Sequence, residues 1–308
     1  MISMLQKLMF MILAIIPNWI ITMPIFQQFL KTKVEQVVHK KEFKNMVLAS
    51  ESLFKLKDMA IGDEKPLPKG LQRELMPRHI GVILDGNRRW AKMRGRITVE
   101  GYEAGLANLG MFLSLCRGWN IPIVSLFMFS TENWDRPQEE VDFLIDLFEG
   151  TFKHYLLRNC RRFGGRVSVI GDTSKFPNSL QNAIKQIEED TRDFTEIHLI
   201  MAMSYSGQND IVHACQNIAM KVKDGLLQPE DITKSLFEQQ LQTMVTHVPS
   251  PDLLIRTSGE IRISNYYLWQ SAYTEMYFTD TLWPDFGEDE FVKALRSFQQ
   301  RGRRYGKI

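Results

Sequence analysis

Three clusters of polar residues in this chain of 308 residues have the composition to do chemistry, and each follows a short apolar run. Asp85, Asn87 and Arg89 come after HIGVIL; Ser130, Glu132, Asn133 and Arg136 come after VSLFMF; Arg256, Arg262 and Ser264 come after DLLI. Arg256 and Arg262 offer planar guanidinium forks and Ser264 a hydroxyl, a set suited to gripping several phosphate oxygens at once. The same residues read equally well as a surface ion-pair network with Glu260. Asp85 at a turn and Glu275 after LWQSAYT are hard oxygen donors of the kind Mg²⁺ uses alongside substrate phosphates. Taken alone, an aspartate at a turn is more often a helix cap.

The elements that must position these clusters alternate along the chain. The run IGVIL stops at Asp85-Gly86-Asn87 and gives way to the helix-compatible RRWAKMRG, which reads as strand, tight turn, helix. Apolar runs recur at 123–129, 166–170, 197–203 and 252–255, the first three each followed by polar residues and a stretch of helical periodicity, and FVKALRSFQQ closes the chain. This alternation predicts an α/β fold with a central parallel sheet flanked by helices. In such sheets ligands collect beyond the carboxyl ends of the strands, so the three clusters are expected on one rim. After Pro137, residues Val141, Leu144, Leu147, Phe148, Phe152 and Tyr155 recur at helical spacing and predict a core-facing helix that also borders a pocket.

With 38 basic and 36 acidic residues the net charge is +2, which provides nothing like the basic field of a nucleic-acid binder. Cys116, Cys160 and Cys215 are odd in number and far apart, so neither a disulfide framework nor a cysteine-rich zinc site is expected. The scattered histidines, His79 among them, lack metal-ligand spacing. Residues 8–30 carry no charge, and the first acidic residue is Glu35. Residues 1–74 therefore read as a targeting or membrane-associating segment and linker, with DEKPLPKG at 63–70 in the linker, and 75–308 as the catalytic domain. A plastid address is expected, with the endoplasmic reticulum membrane or the cytoplasm as alternatives.

HIGVILDGNRRWAK, FSTENWDRP and RTSGEIRISNYYLWQSAYTEMYF followed by LWPDF resemble the signature segments of the cis-prenyltransferase family, in order and at similar spacing from about Pro77 to Gly306. The resemblance implies a single domain with an elongated apolar tunnel, a homodimer, and prenyl coupling by departure of diphosphate. It implies that Asp85 and Glu275 hold Mg²⁺, and that Asn87, Arg88 and Arg89, next to Gly86 and Trp90, meet the leaving diphosphate at a helix amino terminus. Ser130 and Asn133 are implied near the reacting carbons, with Phe129 and Trp134 walling the chain. Arg256, Arg262 and Ser264 are implied to grip the second diphosphate, with Arg136 adding charge, and Arg304-Tyr305-Gly306 to complete that site, usually across the dimer.

Several positions depart from the family. Thr98 and Tyr102 stand where an arginine and a histidine usually bind the allylic diphosphate, so charge-assisted bonds give way to hydroxyl bonds. Ser204 stands for an asparagine, and Ile261 where a histidine can occur. Met128 occupies a tunnel-floor position where long-chain members carry alanine, and either shortens the product or fills core space. These departures favour a C10 product from two dimethylallyl diphosphates joined head to middle, lavandulyl diphosphate. The alternatives are regular head-to-tail condensation of isopentenyl diphosphate to a C10–C20 product, or a noncatalytic subunit, which the presence of Asp85 and Arg89 disfavours.

Overall fold

The structure is a computed structural model that describes residues 65–303, apart from the side chains of His154 and Tyr155. Six strands form one sheet: β1 (His79–Ile83), β2 (Ile123–Ser130), β3 (Gly165–Ile170), β4 (Ile197–Tyr205), β5 (Leu253–Arg256) and β6 (Glu275–Phe278). The order across the sheet is β3-β4-β2-β1-β5-β6 and every pairing is parallel. All five residues of β1 and all four of β5 are buried, as expected of central strands covered on both faces. The chain leaves β1 toward β2 on one side and β5 toward β6 on the other, so β1 and β5 flank the switch point at which parallel sheets open a crevice.

The helices are α1 (Asn87–Met93), α2 (Thr98–Gly118), α3 (Gln138–Gly150), α4 (Leu157–Phe163), α5 (Asn178–Asp190), α6 (Gly207–Lys223), α7 (Lys234–Glu238) and α8 (Glu288–Gln299). A π-helical turn, Thr151–Leu156, joins α3 to α4. As the periodicity predicts, Val141, Leu144, Leu147, Phe148 and Phe152 are buried. Strand β6 is absent from the sequence reading: it is a four-residue edge strand whose residues are all only half-buried, and its apolar run, 276–278, is just three residues long.

One aromatic group packs α2 against α8, with Phe112 and Phe291 at 4.6 Å and Trp119 and Phe291 at 5.5 Å. A second lies under the rim, where Tyr266 stacks on Phe127 at 4.5 Å and on Tyr267 at 4.2 Å. Residues 65–74, expected as linker, are instead docked. Lys65 donates its N–H to Gly118 O (3.0 Å), Arg296 bonds Lys69 O (2.8 Å), and the Gln299 amide clasps Gln72 through its N–H (3.0 Å) and carbonyl (2.8 Å). The segments at 8–30 and 31–44 lie outside the described residues. No helix among the described residues is long and apolar enough to cross a membrane.

His79 is fully buried in β1. Its Nδ1 donates to Val248 O at 2.8 Å, and in the neutral ring that burial favours, Nε2 accepts from Ser125 Oγ at 2.9 Å. Burial lowers its pKa to about 4, and burial likewise lowers that of His198 to about 4. The unfolded chain takes up these protons below about pH 6.5 while the fold refuses them, so stability is complete above that pH and is lost as pH falls toward 4. Urea unfolding is expected to give a free energy that drops by about 1.4 kcal/mol per pH unit for each histidine in this window. The slope should lessen in His79→Gln; an unchanged slope would exclude His79 as its source.

Candidate active site

A cavity of about 570 Å³ opens beyond the carboxyl ends of β1, β2 and β5. Fourteen of the residues singled out from sequence line it: Asp85, Gly86, Asn87, Arg88, Arg89, Tyr102, Met128, Phe129, Ser130, Asn133, Arg136, Arg256, Arg262 and Ser264. The charged and hydroxyl groups lie at the strand ends. Leu106, Leu109, Leu144, Leu147 and Phe148, from α2 and α3, supply apolar walls.

Asp85 is the hub of the polar end. Its Oδ2 accepts from Arg256 Nη2 at 2.9 Å and its Oδ1 from Arg89 Nη2 at 3.2 Å. Burial pushes this carboxyl up, but the hydrogen bond and charge of Arg256, together with Arg89, outweigh that and hold it below the usual carboxylate range. Arg256 is 5% exposed and also donates to Ser264 Oγ and Arg262 O, both at 2.6 Å. Its Nε is buried without a partner. Arg89 further donates to Ser258 O (2.9 Å) and Ser258 Oγ, and lies 3.4 Å from Glu260. Arg262 is mostly exposed and pairs with Glu260, as the surface-network reading requires, yet both residues line the cavity. The turn carrying Asp85 is fixed from below: Thr257 Oγ1 bonds the backbone of Asp85, and Trp283 donates its N–H to Asp85 O at 3.0 Å.

Gly86 has φ 107°, a left-handed value that glycine tolerates, and a Cβ there would sit 3.0 Å from Ser258 and Leu282. Helix α1 then crosses α2 at Gly101 and Gly105. A Cβ on Gly101 would lie 2.2 Å from Asn87 O, and one on Gly105 would lie 2.3 Å from Asn87 Oδ1. These two glycines, four residues apart, let the first turn of α1 seat against α2. Their spacing is a signal in the sequence that the motifs alone did not bring out.

On the opposite wall the pairing of β2 with β4 is irregular between Phe127 and Ser130, and this bulge lets Phe127, Met128 and Phe129 all reach the cavity. Asn133 Oδ1 accepts the Ser130 N–H at 3.2 Å, holding the turn closed. Glu140, also unforeseen, takes Arg88 at 2.7 Å and Arg136 at 3.0 Å, and so ties α1 to α3 across the mouth. Tyr102 lies among these charges, packed on Phe143 at 5.7 Å; burial pushes its phenol up, with Arg136 opposing.

Several expectations need correction. Trp90 does not line the cavity: its Nε1 donates to Asp285 at 2.7 Å, and Arg94 covers its ring. Thr98 is exposed at the start of α2, away from the lining. Trp134 stands behind Phe129 (5.1 Å), its Nε1 bonded to Ser204 Oγ at 2.9 Å, and buttresses the wall without forming it. Ser204 is buried in that support, and Ile261 is exposed. Glu275 does not meet Asp85 within the chain. It is the first residue of β6, level with Leu253, whereas Phe278 is level with Arg256. Three strand steps put it about 10 Å back from the rim, where Arg301 holds its carboxylate at 2.7 Å. Arg304 and Gly306 lie outside the described residues.

Among the described residues no group of three or more His, Cys, Asp or Glu could hold a metal ion by itself. The donors present, one anchored carboxylate at Asp85 with Glu260 nearby, fit Mg²⁺ in its usual manner, bound through one or two carboxylates together with substrate phosphates and water.

The family model described as "Putative undecaprenyl diphosphate synthase" matches residues 83–306, more than half of the chain. A chloroplastic dehydrodolichyl diphosphate synthase of Solanum lycopersicum is 55% identical over 244 residues, covering 79% of this chain and 78% of that one. A chloroplastic (2Z,6Z)-farnesyl diphosphate synthase of the same species is 51% identical over 233 residues, covering 76% and 80%. The crystal structure of lavandulyl diphosphate synthase from Lavandula x intermedia in complex with dimethylallyl diphosphate superposes with a TM-score of 0.74 at 40% identity, covering 76% of this chain and all of that one. The chain belongs to the cis-prenyltransferase family and is a prenyltransferase of the isoprenyl diphosphate synthase type.

The seating of α1 on α2 generates a direct test. Gly101→Ala forces the Asn87 carbonyl to move, and overpacking of this kind costs about 1–3 kcal/mol. Turnover is expected to fall by more than the stability loss explains, because the displaced turn carries Asn87 and Arg88. A variant with reduced melting temperature but native kcat at a temperature where it stays folded would contradict this.

Proposed function

We propose that this chain condenses isopentenyl diphosphate with an allylic diphosphate, head to tail, to a short cis-prenyl diphosphate of C10–C20. The observation that carries the reading is the polarity of the cavity, with Arg88, Arg89, Arg256 and Arg262 at its polar end and leucines and phenylalanines among its other walls. In the reaction the allylic C–O bond breaks, its electron pair leaving with diphosphate. The alkene of the second substrate forms the new C–C bond, and a proton then departs.

Guanidinium groups stabilise the anion that develops, and apolar walls keep water from trapping the cation as an alcohol. Asp85 would hold Mg²⁺ together with the substrate diphosphate, and the ion would supply further charge neutralisation at the leaving group. Arg88 and Arg89 stand on α1, on the donor side. Arg256, Arg262 and Ser264 stand on the acceptor side. Ser130, Asn133 or a diphosphate oxygen takes the proton.

The departures at Thr98 and Tyr102 favoured head-to-middle coupling when read from sequence. The relatives above 50% identity include, by name, dehydrodolichyl and farnesyl diphosphate synthases, and this weighs toward regular elongation. The irregular product remains a second reading because the lavandulyl diphosphate synthase shares the fold at 40% identity and holds dimethylallyl diphosphate. Tyr102, which lines the cavity, is the residue that favours it. Plastid residence is proposed from the chloroplastic relatives, and a homodimer from the family.

Product analysis separates the readings. With dimethylallyl diphosphate alone, regular elongation gives no coupled product; lavandulyl diphosphate formed under that condition would overturn the proposal. Asp85→Ala is expected to lower kcat by at least about a thousandfold, the loss of a group that acts on the departing charge. Met128→Ala is expected to lengthen the product by one or more C5 units, read by mass spectrometry. An unchanged product distribution would assign Met128 to packing alone.

A further inference from the structure

The loop between β5 and β6 carries Arg262 and Ser264 to the cavity in a strained backbone. Ser264, Asn265 and Tyr267 have φ of 47°, 62° and 49°, three left-handed non-glycine residues within four positions. Something outside the loop must hold it there, and the contacts of Asn265 stand out. Its Oδ1 accepts the Gln208 N–H at 3.0 Å, which fixes the amide orientation because a backbone N–H can only donate. Its Nδ2 therefore faces Glu132 Oε1 at 2.9 Å and Ser206 Oγ at 2.7 Å. Its carbonyl accepts the Gly207 N–H at 2.7 Å.

One side chain thus joins the loop to the turn after β2 and to the turn after β4. The neighbouring Ser264 passes the constraint on, since its Oγ accepts from Arg256, which in turn holds Asp85. A continuous line of contacts runs from Glu132 to Asn265, then along the backbone to Ser264, and on to Arg256, Asp85 and Arg89, across the ends of three strands.

We propose that Asn265 is the positioning residue that sets the acceptor-diphosphate groups, by locking the Ser264 loop to the Glu132 turn. The proposal rests on the assignment of Arg256, Arg262 and Ser264 to the second diphosphate. Asn265 does not itself line the cavity and acts through Ser264 and Arg256.

Three variants test it, with steady-state KM for isopentenyl diphosphate and for the allylic diphosphate measured separately and melting temperature recorded for each. Asn265→Gly keeps the left-handed backbone and removes the amide. It is expected to raise the isopentenyl diphosphate KM by about tenfold or more, the worth of one charge-assisted bond, while the allylic KM stays within about threefold. Asn265→Asp places a carboxylate against Glu132 and is expected to cost more. Adding Glu132→Gln restores a donor–acceptor pair with the partners exchanged, and is expected to recover at least about tenfold of kcat/KM. This exchange decides the matter should Asn265→Gly fold poorly.

Equal changes in both KM values, or no recovery in the exchanged pair, would overturn the proposal. Arg262→Ala, measured alongside, separates it from the reading beneath it. If Arg262→Ala raises the isopentenyl diphosphate KM and the Asn265 variants do not, only the positioning role falls; if Arg262→Ala leaves that KM unchanged, the acceptor assignment falls and the proposal with it.

Discussion

The contact between Asp85 and Arg256 is the constraint on which the site depends. It joins the ends of β1 and β5, the two strands that flank the switch point of the sheet, and it places a buried guanidinium where a second negative group is still wanted. Removing a guanidinium from water is costly unless its charge is met. Arg256 answers with Asp85, Ser264 and a backbone carbonyl, yet its Nε remains unpartnered. Asp85 in turn is held ionised. The result is an anion-receptive surface organised before substrate arrives, which is the condition for electrostatic help at the moment of bond breaking.

Much of the remaining architecture serves that contact. Trp283 and Thr257 grip the backbone of Asp85 from below, so the LWPDF segment, although it reads as part of a signature, braces the turn without reacting. Gly101 and Gly105 admit α1 close enough to bring Arg88 and Arg89 to the same mouth, and Glu140 spaces Arg88 from Arg136. The apolar half of the cavity is built independently, by α2, α3 and the bulged end of β2. The two halves meet at Met128, Phe129 and Ser130.

Most of this was legible in the sequence because central parallel strands must be continuously apolar and their carboxyl ends must carry the polar work. Those two rules located β1 through β5 and gathered three distant clusters on one rim. They fail at the sheet edge. Strand β6 is short and half-exposed, so the three apolar residues of EMYF are too few to announce it, and without its register Glu275 could not be seen to start the strand instead of ending it. Spacing within a motif also says nothing of which way a side chain turns: Trp134 and Trp90 sit beside true lining residues, and each has its indole N–H claimed by a neighbour elsewhere. In sequence Glu140 is only an acid in the first turn of a helix, and its partners, Arg88 and Arg136, come together only in three dimensions.

The most direct test of this account is a double-mutant cycle on Asp85→Asn and Arg256→Lys, read as kcat/KM for the coupling reaction. If the two side chains act as one unit, the double variant should be little worse than the poorer single variant, leaving a large coupling energy. Losses that simply multiply would mean that the carboxylate and the guanidinium act separately, and would contradict a site organised around their contact.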